Sequence, residues 1–285
     1  MEVTLRPGKP EDAAACGAIC YEAFRAIATH HNFPPDFPSG EVAVGLLSML
    51  LLHPHFYGVV GELDGRIVGS NFLDERSTVA AVGPITVDPE VQNRQIGRDL
   101  MIAVMDRARA RNFPGVRLVQ AAYHTRSLAL YTKLGFAPRE SLVVMQGPAI
   151  RATVPGYAVR PAREDDLPAC NAMCLQVHGV DRSGEVQDAV HEGTAMVVEH
   201  GGRVTGYATE LAFFAHAVGE SNNDMKALIG AAPAYGGPGF FVPARNAELV
   251  RWCLGHGLRI VQVMTLMSVG LYHEPQGAWL PSVLY

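Results

Sequence analysis

A chain of 285 residues exceeds the size at which one hydrophobic core usually suffices, so two units of about 140 residues each are expected. Hydrophobic residues at 48% and charged residues at 18% exclude a disordered chain, and a formal charge of -5 speaks against nucleic-acid binding, which needs a clustered basic surface. The opening MEVTLRPGKPED lacks the apolar core of a secretory leader, and the longest apolar run, Val42 to Leu52, is too short to span a bilayer, so no membrane partner and a cytoplasmic location are expected.

From the N-terminus, an apolar strand leads into RPGKPEDAAACGAIC (Arg6 to Cys20), where Glu11-Asp12 suits a helix N-terminus. The same text returns as RPAREDDLPACNAMC (Arg160 to Cys174), with seven identities in fifteen positions. An internal duplication follows. Next comes a Pro-rich loop, His30 to Gly40, and then VGELDGRIVG (Val60 to Gly69), which matches VVEHGGRVTG (Val197 to Gly206) at five of ten positions. The turns Asp64-Gly65 and Gly201-Gly202 read as hairpins. Because the two offsets differ by seventeen residues, the second copy is expected to lack a segment matching much of Ala26 to Leu52. Residues 1–148 and 156–285 are the expected domains, joined near Pro148 and Pro155. Each should be α/β (α+β), a mixed, mostly antiparallel sheet flanked by helices. The five cysteines show no CxxC spacing and read as reduced core residues, so no metal is expected.

The segment from Gly83 to Phe136 carries the chemistry. GPITVDPE is a strand closed by Asp88-Pro89. The loop VQNRQIG then enters a helix whose Ile96, Leu100, Val104 and Ala108 share one face. A strand, a polar turn and a helix starting at a glycine direct backbone N–H groups and a helix dipole at an anion, and Arg94 and Arg98 add charge. A pyrophosphate site is one reading; close helix–sheet packing at Gly97 with solvated arginines is the other. A strand, VRLVQAAY, and a short helix, HTRSLALYTKLGF (His124 to Phe136), follow.

These two motifs, in this order, resemble those of the GNAT superfamily of acyl-CoA-dependent N-acyltransferases, so each unit is expected to be GNAT-like. In that family a Q/R-x-x-G-x-G/A loop binds the CoA pyrophosphate, and a segment resembling N-x-x-A-x-x-L-Y-x-K-x-G-F carries a tyrosine near the thiol. The resemblance implies acetyl-CoA as cofactor, with Gln92, Asn93, Arg94, Gln95, Ile96, Gly97 and Arg98 as its loop. Gln95 departs from the usual first glycine. In the second motif His124 stands for Asn and Ser127 for Ala, while Leu130, Tyr131, Lys133, Gly135 and Phe136 match, and the resemblance implies that His124, Ser127, Leu130, Tyr131 and Lys133 also bind the cofactor. Tyr131 is implied as the acid that protonates the leaving thiolate. The strand Ile85, Thr86 and Val87 is implied to bind the acyl carbonyl and pantetheine amides, by splaying from Val116 to Tyr123.

No carboxylate lies on that strand. Asp74 and Glu75 precede it, and His30, His31 and His124 titrate in the useful range. In the second copy Asn246 and Cys253 stand opposite His124 and Tyr131, and no phosphate loop is recognisable, so that copy is expected to be catalytically silent. By analogy of fold, His31, Phe33 and Asp36 are expected at the acceptor site, where aromatic rings and an acid suit an amine. The expected activity is transfer of an acetyl group to a primary amine of a small molecule by direct attack in a ternary complex. The alternative is a non-catalytic acyl-CoA-binding or metabolite-binding module. Assembly as a monomer or homodimer is expected.

Overall fold

In the computed structural model, residues 3–92 and 94–284 are described. At both predicted hairpins the chain takes the paired positive φ values that a two-residue turn of matching twist requires, 52° and 77° at Asp64-Gly65 and 60° and 79° at Gly201-Gly202. The first repeat runs β1 (Thr4–Pro7), α1 (Ala13–His30), α2 (Gly40–Leu52), β2 (Phe56–Leu63), β3 (Arg66–Asp74), β4 (Ala80–Val82), β5 (Thr86–Val87), α3 (Ile96–Ala110), β6 (Gly115–Ala121), α4 (Thr125–Lys133) and β7 (Ala137–Gln146). The second runs β8 (Tyr157–Pro161), α5 (Leu167–His178), α6 (Ser183–Glu192), β9 (Met196–His200), β10 (Arg203–Ala208), β11 (Ala217–Gly219), α7 (Asn222–Ala231), β12 (Phe240–Pro243), α8 (Ala247–Gly255) and β13 (Arg259–Gly270), then β14 (Ala278–Leu280). Among the described residues no helix is long and apolar enough to cross a membrane.

The repeated text folds into repeated chemistry. Arg6 pairs with Asp12 and Glu62, each at 2.7 Å, and Arg160 pairs with Asp166 and Glu199, again at 2.7 Å. Asp12 and Asp166 also accept the backbone N–H of Lys9 and Arg163 at 2.8 Å, closing the turn into α1 and α5. Cys16, Cys20, Cys170 and Cys174 lie buried on the inner faces of those helices. One expectation needs correcting. The second copy keeps a counterpart of α2, namely α6, and its shortfall is spread over a shorter first helix (12 residues against 18), a shorter second helix (10 against 13) and a tighter connection between them. Both helices are retained because each covers one apolar face of its sheet, as Leu47 and Leu50 do in the first repeat and Val186 does in the second.

The sheets do not follow the repeats. A nine-stranded sheet has the order β1-β2-β3-β4-β6-β13-β7-β12 with β5 on β3, and a five-stranded sheet has the order β14-β11-β10-β9-β8. Strand β13 of the second repeat is thus wedged between β6 and β7 of the first, antiparallel to both. Reciprocally, β7 lies between β13 and β12. The exchange merges the cores: Met267 of β13 is buried with Leu100, Leu118 and Phe136, while Leu142 and Val144 of β7 are buried with Cys170 and Cys174. An ion pair and a hydrogen bond extend the seam, with Arg76 reaching Asp188 at 3.0 Å and Ser77 donating to Glu185 at 2.9 Å.

Candidate active site

Strand pairing opens a slot in the first repeat. Strand β4 runs parallel to β6 only at Ala80–Val116 and Ala81–Arg117. Beyond the Gly83-Pro84 peptide the chain continues as β5, which pairs only with β3, at Gly69–Val87 and Ser70–Thr86, while β6 runs on to Ala121. The predicted splaying of this strand from β6 is therefore the observed geometry. Thr86 on one wall and Gln120 on the other are buried, and neither the Thr86 hydroxyl nor either Gln120 amide atom has a hydrogen-bond partner. Buried polar atoms without partners are rare, and these stand on the two strands that border the slot, whose unpaired backbone edges suit a ligand bearing amides and a carbonyl. Ile85 and Val87 are half-buried against the core shared with α3.

The slot leads to the start of α3. Its first N–H groups have no intrahelical partner, and the side chain of the N-cap residue Gln95 does not cap them. Gln92 braces the loop, donating to the Val87 carbonyl at 3.2 Å and accepting from Arg126 at 3.1 Å. Arg94, Arg98 and Arg126 are exposed around this end of the helix. Ile96 is buried in the core, and Asn93 lies outside the described residues. A Cβ placed on Gly97 would make only ordinary contacts, 3.7 Å to Val87 and 3.9 Å to Leu130. Internal packing therefore does not demand glycine there, which weakens the packing reading and leaves an open approach for an anion.

Gln95 occupies the position where the resemblance leads one to expect glycine, and its backbone is left-handed, with φ 64° and ψ -2°. A non-glycine residue pays about 1 kcal/mol for that conformation. Its side chain is exposed and makes no cap, so Gln95→Gly is expected to stabilise the protein by up to about 1 kcal/mol. Thermal unfolding checks this; a lower melting temperature contradicts it.

Helix α4 begins at His124, whose Nδ1 lies 2.5 Å from the Ser127 hydroxyl. Ser127 in turn lies beside the Tyr131 hydroxyl, so His124, Ser127 and Tyr131 form one polar line down the helix. Tyr131 is buried, with Phe136 edge-on at 6.2 Å, and Gly135 ends the helix with φ 95°. Burial pushes the Tyr131 phenol up to about 12, against a small opposing pull from Ser127. His124 is pushed down to about 4, by burial first and then by Arg126 and His31, so its ring is neutral at pH 7. Leu130 packs on the core, and Lys133 sits exposed at the far end of α4 from Arg126.

The candidate bases fare differently. Asp74 is buried and gripped by Arg76 at 2.7 Å; burial raises its carboxyl above the usual range although Arg76 opposes this. Glu75 is bound by Arg107 at 2.7 Å. His30 and His31 pack edge-on at 4.8 Å, and His31 is 5.2 Å from the Tyr123 ring. Phe33 stacks on Tyr123 at 4.1 Å, and Asp36 accepts a hydrogen bond from Gln262 of β13 at 3.1 Å. Arg126, Tyr123 and Gln262 were not expected from the sequence; Arg126 sits inside the recognised motif and was available there, whereas Gln262 becomes visible only through the strand exchange.

In the second repeat the equivalent opening is filled. Strand β14 pairs with β11, Ala217 to Leu280 through Gly219 to Ala278, and its Trp279 is buried. A cavity of about 340 Å³ remains beside it, lined in part by Ser221, Asn222, Asn246 and Trp279. Helix α7 is capped by Ser221 and Asp224, and burial pushes the Cys253 thiol up to about 12.

Residues 22–136, which hold the slot, the loop and α4, match the Acetyltransferase (GNAT) family. The N-terminal repeat carries a GNAT acetyltransferase domain. The chain is similar to a mycothiol acetyltransferase of Nocardia farcinica, 42% identical over 77 residues, which is 26% of this chain and 25% of that protein. The match thus spans a quarter of the length of that relative. Among solved structures it resembles a putative acetyltransferase from Pyrococcus horikoshii, with a TM-score of 0.76 and 17% identity over 96% of this chain and 91% of that one. It also resembles a tandem GNAT protein from the clavulanic acid biosynthesis pathway, with a TM-score of 0.58 and 13% identity over 94% and 98% of the two chains. At these identities the likeness is one of fold, and it extends across both repeats, so the GNAT domain is followed by a second GNAT-like unit.

Proposed function

We propose that this protein is an acetyl-CoA-dependent N-acetyltransferase whose GNAT domain transfers an acetyl group to a primary amine of a small-molecule acceptor by direct attack in a ternary complex. The observation that carries the reading is the divergence of β5 from β6, with orphaned polar atoms on both strands, leading to the N-terminal end of α3, which Gln95 leaves uncapped by its side chain. Gln92, Arg94, Gln95, Ile96, Gly97, Arg98 and Arg126 would hold the pyrophosphate, and the backbone of Thr86 and Val87 would hold amides and the acyl oxygen. When bound, acetyl-CoA supplies the activated acyl group. Tyr131 keeps its proton at neutral pH and presents it where sulfur charge develops, while the neutral His124 behind Ser127 keeps that line free of positive charge. His31, Phe33 and Asp36 face the acceptor.

A second reading, an acyl-CoA-binding module without turnover, is favoured by the arginine partners of Asp74 and Glu75, which hold both of these candidate bases in ion pairs. An amine that arrives neutral needs none.

Purified protein melted with millimolar acetyl-CoA, or with the same concentration of adenosine, tests the cofactor assignment. A ligand at a hundred times its Kd stabilises by about 2.7 kcal/mol, or roughly 5 °C for a chain of this size. A shift confined to acetyl-CoA is expected. No shift, or an equal shift with adenosine, overturns the assignment.

A further inference from the structure

The loop between α1 and α2 does more than cover the end of the sheet. Its Asp36 forms no ion pair among the described residues, and its carboxylate has a single hydrogen bond, from Gln262 Nε2 at 3.1 Å. Gln262 is only 2% exposed and belongs to the other repeat. It stands two residues beyond Met264 on β13, as Tyr123 stands two residues beyond Ala121 on β6, and Met264 and Ala121 are paired across the ladder. Tyr123 stands in the turn that follows β6, and its phenol is close enough to Asp36 to feel that carboxylate's charge. Gln262 Oε1 and the Tyr123 hydroxyl are both buried and lack a hydrogen-bond partner. Phe33 and His31 wall the same tyrosine.

Together these groups offer an unpaired carboxylate, an unfilled amide oxygen and a phenol beside aromatic rings. Carboxylate and carbonyl oxygens only accept, so the missing partner is a donor, and a carboxylate withdrawn from water favours a positively charged one. Aromatic faces add to the attraction for a cation. Burial raises the Asp36 carboxyl, with Gln262 as the only group opposing it, as expected for an anion whose counter-charge is not part of the chain.

We propose that Asp36, Gln262 and Tyr123 form a subsite, built across the two repeats, for a protonated nitrogen of the acceptor that is not the one acetylated. An attacking amine must be neutral, whereas a carboxylate holds a nearby amine in its charged form, so this subsite is unsuited to the reacting nitrogen and suited to a second one. The acceptor class is thus a small molecule with two basic nitrogens. This rests on the acetyltransferase reading for which nitrogen reacts, but not for the binding itself.

The probes are 1,4-diaminobutane and 4-aminobutan-1-ol, which differ in the second charge. Each is titrated calorimetrically at pH 7 into the full-length protein, with and without CoA, for the wild type, Asp36→Asn, Asp36→Glu and Gln262→Leu. The wild type is expected to bind the diamine at least tenfold more tightly. Asp36→Asn should erase that preference, Asp36→Glu should restore part of it, and Gln262→Leu should reduce it severalfold, with CoA affinity within twofold in all. Equal binding of the two amines by the wild type, or a preference that survives both Asp36→Asn and Gln262→Leu, overturns the subsite. An Asp36-dependent preference in protein that does not bind CoA upholds the subsite and defeats the acetyltransferase reading; CoA binding without any preference does the reverse.

Discussion

Tyr131→Phe is expected to lower acetyl transfer about 10²- to 10³-fold while leaving the acetyl-CoA-dependent thermal shift within a degree of wild type. Burial has moved the phenol to about 12, so it is protonated at neutral pH. Complete transfer of that proton to a free thiolate near 8.5 would be uphill by roughly 5 kcal/mol. The contribution is therefore a hydrogen bond that strengthens as sulfur takes on charge, which argues for the lower end of the range found for general acids. Removing the hydroxyl leaves Ser127 its contact with His124, so the cost to stability should stay within about 1.5 kcal/mol. Steady-state rates and melting curves on the same preparation separate the roles. A variant that turns over within threefold of wild type makes Tyr131 a packing residue.

The second large effect concerns the exchanged strands. A fragment ending at residue 148 is expected not to melt cooperatively and not to respond to acetyl-CoA, although it contains every cofactor residue proposed above. Without β13 the gap between β6 and β7 has no occupant, and the hydrogen-bonding edges of both strands lie open. Met264, Leu266 and Met267 leave the cores they fill. Deleting a single large buried side chain costs about 2–5 kcal/mol, so losing several together with a ladder exceeds the roughly 5–15 kcal/mol that keeps a domain folded. Near-ultraviolet circular dichroism during thermal unfolding reports the result. A sharp transition from the fragment, raised by acetyl-CoA, would show that the first repeat completes its own sheet.

Local features were legible where a few neighbouring residues decide the outcome. The turns at Asp64-Gly65 and Gly201-Gly202 need positive φ, which these residues tolerate, and the amphipathic run from Ile96 to Ala108 can bury only one face. The Arg6–Asp12 and Arg160–Asp166 pairs lie within one short repeated phrase, and the helix that bears Tyr131 was marked by a motif. The left-handed backbone of Gln95 went against the local preference, since tertiary closure of the loop onto α3 outweighs a strain of about 1 kcal/mol.

What the sequence by itself determined, then, is the duplication, the two hairpin turns, the apolar face of α3 and the helix bearing Tyr131, each read from a short stretch of chain. What only the tertiary structure decided is which strand fills which gap. Strands β7 and β13 are both apolar enough for a central place, and their edges are chemically equivalent, so nothing local distinguishes pairing within a repeat from pairing across repeats. The choice depends on how both cores close at once. That closure carries Gln262 to Asp36 and leaves β14 to fill the second slot, so the composition of both sites is a long-range property of the fold.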